Sequence, residues 1–302
     1  MGSGGGWSAP SKTLKELLEL ENQKKQKEND RAINDLLQSL LKELNNRNSE
    51  QVQSHLKTLK GAIEKEIDGN VDLLFGGSVS KHTYTKGLSD IDMLVRLNNT
   101  HLINAKPKEV LEYFANQIQS RLPNTSVKQG ELAVTVKFSS GHEIQLLPSV
   151  KTSTGYKIAK PGKNEWSNVI KPKKFAEKLT KVNQSNGGKV IPVIKLYKMI
   201  NSQLPKQSRL SGYHIESLAI EAFKNTRTYP KNIKDALKTF CEKSQSRVLS
   251  PIKDNTGQSL HVDDYLGGRD SVRRQRVSHD FKMLHKKISN ANSVSDWKDI
   301  IN

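Results

Sequence analysis

The sequence predicts an α+β protein with two lobes, one built on a mixed β-sheet and one built from helices. Apolar residues recur with a helical period near the N-terminus, and they alternate with a period of two within residues 90–97 and 131–138. After about residue 165 the helical period returns. A hydrophobic share of 34% over 302 residues is enough for one large core or two adjoining cores.

The N-terminal region is predicted to be a flexible tail followed by two helices. Residues 1–10 are mostly glycine and serine, which favours the tail. A first helix is predicted within 11–46 with Ser11 as its cap, and a second helix follows from residue 49. The apolar side chains that share one face of the first helix are Ile33, Leu36, Leu37, Leu40, Leu41 and Leu44.

The sheet is predicted from four segments. Residues 71–75 form a strand, and residues 90–97 form a second strand with alternating apolar and acidic positions. A helix is predicted over 106–122. Residues 131–138 and 143–150 form a hairpin across the turn SSGH. Both parallel and antiparallel pairings are therefore expected.

The remaining chain is predicted to be mostly helical. Five amphipathic stretches follow residue 165, which places one lobe at 11–165 and a second lobe at 166–302. The stretches are PKKFAEKLTKVNQ, GGKVIPVIKLYKMINSQL, GYHIESLAIEAFKN, NIKDALKTFCEKSQ and DSVRRQRVSHDFKMLHKKIS.

The charge is strongly basic and unevenly distributed. The formal net charge is +18, and residues 1–70 contribute none of it because they hold eleven basic and eleven acidic residues. Between Lys157 and Lys198 there are eleven lysines and two glutamates. Such a one-sided charge attracts polyanions, so nucleotides, RNA and DNA are candidate partners. The alternative is a solvated surface that only aids solubility.

Cysteine content and hydropathy exclude several classes of protein. The single cysteine, Cys241, cannot form an internal disulfide and cannot build a zinc site alone. No run of about 18 apolar residues predicts a membrane span, and the N-terminus lacks the pattern of a signal peptide. A cytoplasmic location without a membrane partner is expected.

Asp90 and Asp92 form the candidate metal site. They lie two residues apart on a predicted strand, so both carboxylates project from one face, about 7 Å apart at the backbone. Mg²⁺ prefers oxygen ligands and takes carboxylates together with substrate phosphates. Two such ions can activate an attacking hydroxyl and stabilise the leaving oxygen of a phosphoryl displacement. Alone, this spacing is more typical of an acidic surface strand than of a metal site.

Gly76, Gly77 and Ser78 are the candidate phosphate-binding turn. Glycines let the backbone turn sharply and approach a ligand closely. Ser78 offers a hydroxyl at the point where a helix can begin and direct backbone N–H groups at an anion. An ordinary strand-to-helix turn has the same pattern. The SDID segment twelve residues later favours a nucleoside triphosphate with magnesium.

The stretch GGSVSKHTYTKGLSDIDMLV resembles the CD-NTase family, the bacterial relatives of cyclic GMP–AMP synthase in the DNA polymerase beta superfamily. The resemblance covers about residues 50–290 and includes IKLYKMIN, GYHIESLAIEAF and DNTGQSLHVDDYLG. It implies a polymerase beta-like nucleotidyltransferase lobe and a helical lobe that closes the nucleotide cleft.

The resemblance also implies a third metal-binding carboxylate three residues before the proline of the hairpin strand. Gln145 occupies that position here. We assign the role to Glu143, two residues earlier on the same strand face. The alternative is a site with only two carboxylate ligands.

Four further residues are expected to bind nucleotide. By resemblance, Lys198 falls where the family places a lysine against the β- and γ-phosphates, and Lys195 on the same helix is the second choice. Ser211 is assigned to the nucleotide site. Tyr213 is expected to stack on a nucleobase, with ordinary packing between lobes as the alternative. Glu216 is expected to order the helix start or a nearby basic group.

The resemblance implies a template-independent enzyme that joins nucleoside triphosphates into a cyclic di- or trinucleotide and releases pyrophosphate. The expected cofactors are two Mg²⁺ ions, for which Mn²⁺ can substitute. The product would activate an effector protein in antiphage signalling, and RNA or DNA on the basic surface is a candidate activator.

Two alternatives stay open at this point. The first is a transferase that acts on an RNA end or a small molecule, and the second is an inactive scaffolding member of the superfamily. The base identity, linkage and ring size of the product depend on pocket shape and do not follow from the sequence.

Overall fold

The computed structural model describes residues 13–46, 49–65, 67, 69–98, 100–226 and 229–301. The predicted tail at 1–10 and the predicted cap Ser11 lie outside the described residues. Helix α1 spans Leu14–Asn45 and is capped by Thr13, whose hydroxyl accepts the backbone N–H of Glu16. The Glu16 carboxylate accepts the backbone N–H of Thr13 in return, which completes a capping box. Helix α2 spans Ser49–Glu64.

The sheet is mixed, as the alternation predicts. The strands are β1 Asn70–Phe75, β2 Ile91–Asn98, β3 Ser126–Gln129, β4 Val134–Lys137, β5 Glu143–Lys151 and β6 Tyr156–Ile158. Their order is β1-β2-β5-β4-β3, with β6 on the far part of β5. Only the β2–β5 pair is parallel among these ladders. Strands β3 and β6 were not predicted because they are too short to show alternation.

One face of the sheet is buried and the other holds the polar residues. Ile91, Met93 and Val95 of β2 are buried against α2 and helix α4, which spans Pro107–Arg121. Since side chains alternate along a strand, Asp92 projects from the opposite face. A four-residue helix, α3 at Gly77–Ser80, follows β1 on that side.

The helical lobe contains the five predicted helices and one more. They are α5 Pro172–Ser185, α6 Val190–Gln203, α7 Gly212–Phe223, α8 Ile233–Arg247, α9 Val272–Asn290 and α10 Val294–Ile301. An aromatic cluster lies at the centre, where the Tyr197 ring centroid is 5.0 Å from those of both Phe240 and Phe281. None of the helices described is long and apolar enough to cross a membrane.

Helix α1 packs with the helical lobe. Its buried residues Ile33, Leu37 and Leu41 belong to the same core as α5–α10 and not to the core beneath the sheet. The predicted lobe at 11–165 included this helix. The position differs because a helical period shows which face is buried but not which partner covers it.

Candidate active site

A cleft between the two lobes collects most of the predicted site residues. Its volume is about 430 Å³. The sheet lobe lines it with Gly77, Ser78, Asp90 and Asp92, and the helical lobe lines it with residues that include Lys198 and Tyr213. Sites between two lobes commonly bind small ligands because both surfaces contribute contacts.

The paired aspartates lie at the start of β2. Asp90 directly precedes the strand, and Asp92 is its second residue. The parallel register sets Asp92 beside Gln145 of β5. The Gln145 side-chain amide donates to Oδ2 of Asp90 over 2.8 Å. Gln145, at the position where the resemblance implies a third carboxylate, therefore contacts the pair directly as an amide.

The aspartate pair is electrostatically unfavourable in the free protein. Burial and then the Glu143 carboxylate raise the pKa of Asp90. Burial and then the neighbouring Asp90 raise the pKa of Asp92 to about 6. Within the described part of the chain, no three His, Cys, Asp or Glu side chains converge as a metal centre. The role of Glu143 as third ligand stays a prediction, and its charge acts on Asp90.

Gly77 allows the turn to close on Asp92. Its φ is +45°, and a Cβ at this position would lie 1.6 Å from Oδ2 of Asp92. The backbone N–H of Gly76 donates to the Asp92 carbonyl over 2.8 Å. The backbone N–H of Ser78 donates to the Asp92 carboxylate. The turn thus holds the second aspartate through its backbone.

Ser78 contributes a hydroxyl to the cleft. Its side chain is buried, and Oγ has no hydrogen-bond partner among the described residues. A buried polar atom without a partner is costly unless a ligand or water satisfies it. The Ser78 hydroxyl is therefore suited to a ligand oxygen.

A buried ionic network joins the lobes beside this turn. Glu216 of α7 accepts hydrogen bonds from Lys81, Thr83 and Lys198, with 3.0 Å from Lys198 Nζ to Oε1. Burial alone would raise the pKa of Glu216, but the ammonium groups and hydrogen bonds hold it below the ordinary value. Burial lowers the pKa of Lys198. The expectation that Glu216 orders a nearby basic group is confirmed.

Tyr213 lines the cleft but is already held by protein groups. Its hydroxyl donates to Asp254 Oδ1 over 2.6 Å, and its ring centroid is 4.8 Å from that of Phe175. The Lys81 ammonium lies 5.4 Å from the Tyr213 ring centroid. Stacking of a nucleobase on this ring stays a prediction.

Four of the predicted site residues do not line the cleft: Ser211, Gly76, Glu143 and Lys195. Gly76 and Glu143 act through Asp92 and Asp90, as described above. Lys195 donates to Oδ1 of Asn45 and lines a separate cavity of about 150 Å³ with His82 and Tyr84. Lys195 and Lys198 are three residues apart on α6, yet they line different cavities.

The start of α7 is held by residues 254–267, the stretch that contains Asp263 and Tyr265. The Ser211 hydroxyl accepts the His214 backbone N–H over 3.2 Å and so caps the helix. The Ser211 N–H donates to the Tyr265 hydroxyl over 3.2 Å, and that hydroxyl lies 2.8 Å from Nδ1 of His214. Asp263 orders the segment that carries Tyr265. Its buried carboxylate accepts a hydrogen bond from Arg274, with 2.6 Å between Asp263 Oδ2 and Arg274 Nη1.

Sequence reasoning missed Lys81 and Thr83. Both lie within the motif that follows Gly77, and Lys81 is four residues after that glycine. That spacing is one helical turn, which was the available signal. Their importance depends on Glu216, which is 135 and 133 residues away along the chain.

Three features together define a nucleotidyltransferase. They are the mixed sheet, the aspartate pair beside a glycine–serine turn, and the helical lobe across the cleft. The family model described as Second Messenger Oligonucleotide or Dinucleotide Synthetase domain matches residues 29–183. The chain belongs to this family and is an enzyme that synthesises an oligonucleotide or dinucleotide second messenger. The predictions of fold and of enzyme class are confirmed.

Solved structures share the fold at low sequence identity. The Bradyrhizobium diazoefficiens CD-NTase CdnG in complex with GTP is 10% identical with a TM-score of 0.63, over 85% of this chain and 90% of that one. Escherichia coli MS115-1 CdnC with ATP is 16% identical with a TM-score of 0.59, over 83% and 91%. Vibrio cholerae DncV cyclic AMP-GMP synthase with the linear intermediate pppA(3′,5′)pG is 12% identical with a TM-score of 0.60, over 96% and 89%. No curated protein matches the chain in sequence.

We expect Gly77→Ala to reduce turnover by about 100-fold or more, because the new Cβ displaces the Asp92 carboxylate. The measurement is the rate of pyrophosphate release from nucleoside triphosphates. Gly87→Ala is the matched control, since Gly87 also has a positive φ, +74°, but nothing lies within 4 Å of its Cβ position. Equal losses in both variants would show that backbone strain, not the clash, is responsible.

We expect Asp92→Asn to raise the free energy of unfolding by about 2 kcal/mol at pH 7.5 in EDTA, while abolishing turnover. The folded-state pKa of about 6 lies above the unfolded value, so the charged carboxylate destabilises the fold above pH 6. The gain should therefore disappear as the pH falls from about 6 to about 4.

The measurement for this prediction is urea unfolding across that pH range. Asp72→Asn is the control of opposite sign, because hydrogen bonds from Asn98 and Arg96 lower the pKa of Asp72. It should lose stability at neutral pH. A destabilised Asp92→Asn variant at pH 7.5 would contradict the prediction.

We expect Glu216→Gln to lower the free energy of unfolding by about 3 kcal/mol, because it leaves two lysines without their buried counter-ion. Glu221→Gln on the same helix removes a carboxylate paired with Lys224 and Arg247 nearer the surface, and should cost about 1 kcal/mol or less. Urea unfolding of both variants measures the difference, and equal costs would contradict it.

Proposed function

We propose that this enzyme joins nucleoside triphosphates into a cyclic dinucleotide or trinucleotide. The observation that carries the proposal is the arrangement of Asp90 and Asp92 around the Gly77 turn, with the unpartnered Ser78 hydroxyl in the same cleft. Carboxylates and a phosphate-binding hydroxyl on one surface suit phosphoryl transfer, which depends mainly on positioning and charge neutralisation.

In each step a ribose hydroxyl oxygen of one nucleotide bonds to the α-phosphorus of another. The bond from that phosphorus to the bridging oxygen breaks, pyrophosphate leaves, and the hydroxyl proton passes to solvent. Ser78 donates to a phosphate oxygen, and the Gly77 turn keeps Asp92 oriented toward the reacting groups. A second step within the linear product closes the ring. The Lys198 and Glu216 network keeps the two lobes at the spacing this requires.

The acidic residues fit hard divalent cations. Burial and then neighbouring carboxylate charge raise the pKa values of Asp90 and Asp92, and a bound cation would offset both effects. We assign Asp90 and Asp92 as the ligands of two Mg²⁺ ions, for which Mn²⁺ can substitute, and Glu143 as the third carboxylate. When bound, such ions would neutralise phosphate charge and lower the pKa of the attacking hydroxyl.

We further propose that the product acts on an effector protein in antiphage signalling. The E. coli CdnC structure with a HORMA protein shows that one relative assembles with a protein partner. The lysine-rich stretch from Lys157 to Lys198 supports RNA or DNA as an activating ligand of this enzyme.

The test is incubation of the purified protein with all four nucleoside triphosphates and Mg²⁺ or Mn²⁺, followed by phosphatase treatment and mass spectrometry. We expect a phosphatase-resistant cyclic product whose mass identifies its bases. The Asp90→Ala/Asp92→Ala variant should form none, whereas Asp72→Asn, outside the cleft, should retain activity.

Two results would contradict the proposal. A phosphatase-sensitive linear product, or extension of an added RNA, would favour transfer to another acceptor. Absence of any product, both with and without added RNA and DNA, would also contradict it. A rate that rises on addition of polynucleotide, and falls again with salt, would support nucleic-acid activation.

A further inference from the structure

The N-terminal half of α1 extends beyond the rest of the protein. Residues 13–29 are all exposed, and the first buried side chain of the helix is Ile33. The helix meets its neighbours at Asp30, whose carboxylate accepts a hydrogen bond from Lys234 of α8 over 2.6 Å. A helix that lies on a protein surface buries one face, so residues 14–29 form a projecting arm about 24 Å long.

The arm carries four leucines on the side turned away from the body of the protein. Each is between 43% and 75% exposed, and they are Leu14, Leu17, Leu18 and Leu20. At about 100° per residue, their mean direction lies about 170° from that of the buried residues of α1. The body packs on the opposite face of the helix and so cannot cover these leucines. A cluster of exposed apolar side chains on one helix face is typical of an interaction surface.

The charges of the arm are divided along its length. Residues 14–21 hold one lysine and three glutamates, a net charge of −2. Residues 22–29 hold three lysines and one glutamate, a net charge of +2. Two arms side by side in antiparallel orientation set each acidic segment against a basic segment, whereas parallel arms set like charges together. The arm is therefore complementary to a second copy of itself in one orientation.

The leucine face continues into the basic segment, where Lys24, Lys25 and Glu28 lie on the same side of the helix. In a full antiparallel overlap, the leucines of one copy lie against the hydrocarbon stems of Lys24 and Lys25 of the other, and the ammonium groups reach Glu21. Within one chain Glu21 pairs with Lys25 over 3.1 Å, and their side chains are 61% and 67% exposed. Such exposed pairs contribute little to stability, so an exchange of partners between copies costs little.

The arm is remote from the cleft. The opposite end of α1 meets the sheet lobe, where the Leu44 carbonyl accepts the backbone N–H of Lys86 over 2.9 Å. Leu88 and Ser89 of the cleft follow Lys86 along the chain. The end of the arm at residue 29 lies about 22 Å along the helix from residue 44. Antiparallel arms place the two bodies at opposite ends of the pair, which leaves both clefts open.

We infer that the arm of α1 docks antiparallel on the arm of a second copy of this chain, so that the protein forms a two-fold symmetric dimer. The leucines supply the apolar contact, and the divided charge sets the orientation. The inference is independent of the proposed function, because no residue of the arm lines the cleft.

Sedimentation equilibrium of the full chain tests the inference at concentrations from about 1 to about 200 µM. We expect a monomer–dimer equilibrium with a dissociation constant on the order of 10 µM at low salt, because two short helices bury a small interface. Salt raised from about 0.05 M to about 0.5 M should weaken association by about tenfold, since it screens the exposed charges. Leu17→Gln/Leu18→Gln should weaken it by about tenfold or more, and glutamine keeps the helix propensity of the arm.

Charge reversal tests the orientation of the arms. Lys24→Glu/Lys25→Glu makes the whole arm acidic, and Glu19→Lys/Glu21→Lys makes the whole arm basic. Each variant alone should associate about tenfold or more weakly than wild type, because antiparallel arms then set like charges together. An equal mixture of the two variants should dimerise as wild type does. Parallel arms oppose like charges already, so association as tight as wild type in each variant alone would contradict the antiparallel arrangement.

Met283→Gln is the matched control, because Met283 is 43% exposed on α9, a helix of the lobe with which α1 packs. It should dimerise as wild type does. Turnover per chain should stay within about twofold of wild type in this control and in Leu17→Gln/Leu18→Gln, since distant sites act independently. Loss of dimer with retained turnover therefore separates this surface from the catalytic cleft.

Three results would overturn the inference. Wild-type protein that stays monomeric at the highest concentration would leave the leucines to a partner of another kind. Dimerisation that appears only after removal of residues 1–12 would show that this segment covers the leucines. A dimer that is unchanged in Leu17→Gln/Leu18→Gln would place the interface elsewhere on the surface.

Discussion

The buried carboxylate of Glu216 is the interaction on which the cleft depends. It accepts hydrogen bonds from Lys81 and Thr83 on the sheet side and from Lys198 on the helical side. A buried charge is costly unless it is paired and hydrogen-bonded. The lowest-energy arrangement therefore keeps these groups together, and that arrangement brings α6 and α7 against the turn that carries Ser78.

The cleft separates two kinds of charge over a short distance. Asp90 and Asp92 crowd negative charge at one end, the Glu143 carboxylate adds to it from outside the cleft, and burial makes that charge unfavourable in the free protein. The lysine network provides positive charge beside Ser78. This order suits a substrate that carries cations near its reacting phosphate and negative charge on its outer phosphates. Binding of such a ligand would offset the destabilisation at the aspartates.

The helical lobe has a second network that holds the start of α7. Burial lowers the pKa of His214 to about 4, so the ring is neutral at physiological pH. A neutral His214 can share the Tyr265 hydroxyl with the Ser211 backbone. Asp263 and Arg274 anchor the segment that supplies Tyr265. Tyr213 and Glu216, which follow on α7, are thereby presented to the cleft in a defined orientation.

Local sequence pattern accounts for most of the fold. The alternation in 90–97 and the hairpin turn predicted the mixed sheet, and the helical periods after residue 165 predicted five helices. These patterns are informative because the period of the side chains reflects which face is buried. The sequence did not predict strands β3 and β6 or helix α10. Strands of four and three residues and a helix of eight residues contain too few repeats of the apolar pattern to be recognised. The motif from Gly76 to Asp92 likewise predicted the turn and the aspartate pair.

What the sequence determined by itself is the chemistry that a short segment can hold: a glycine turn, a hydroxyl and two carboxylates on one strand face. Tertiary structure decided everything that joins distant segments. It placed Gln145 on Asp90, packed α1 with the helical lobe, turned Lys195 away from the cleft and paired Lys81 and Lys198 with Glu216. The physical reason is that the pKa, burial and free hydrogen bonds of a side chain depend on partners far along the chain, which residue spacing alone does not specify.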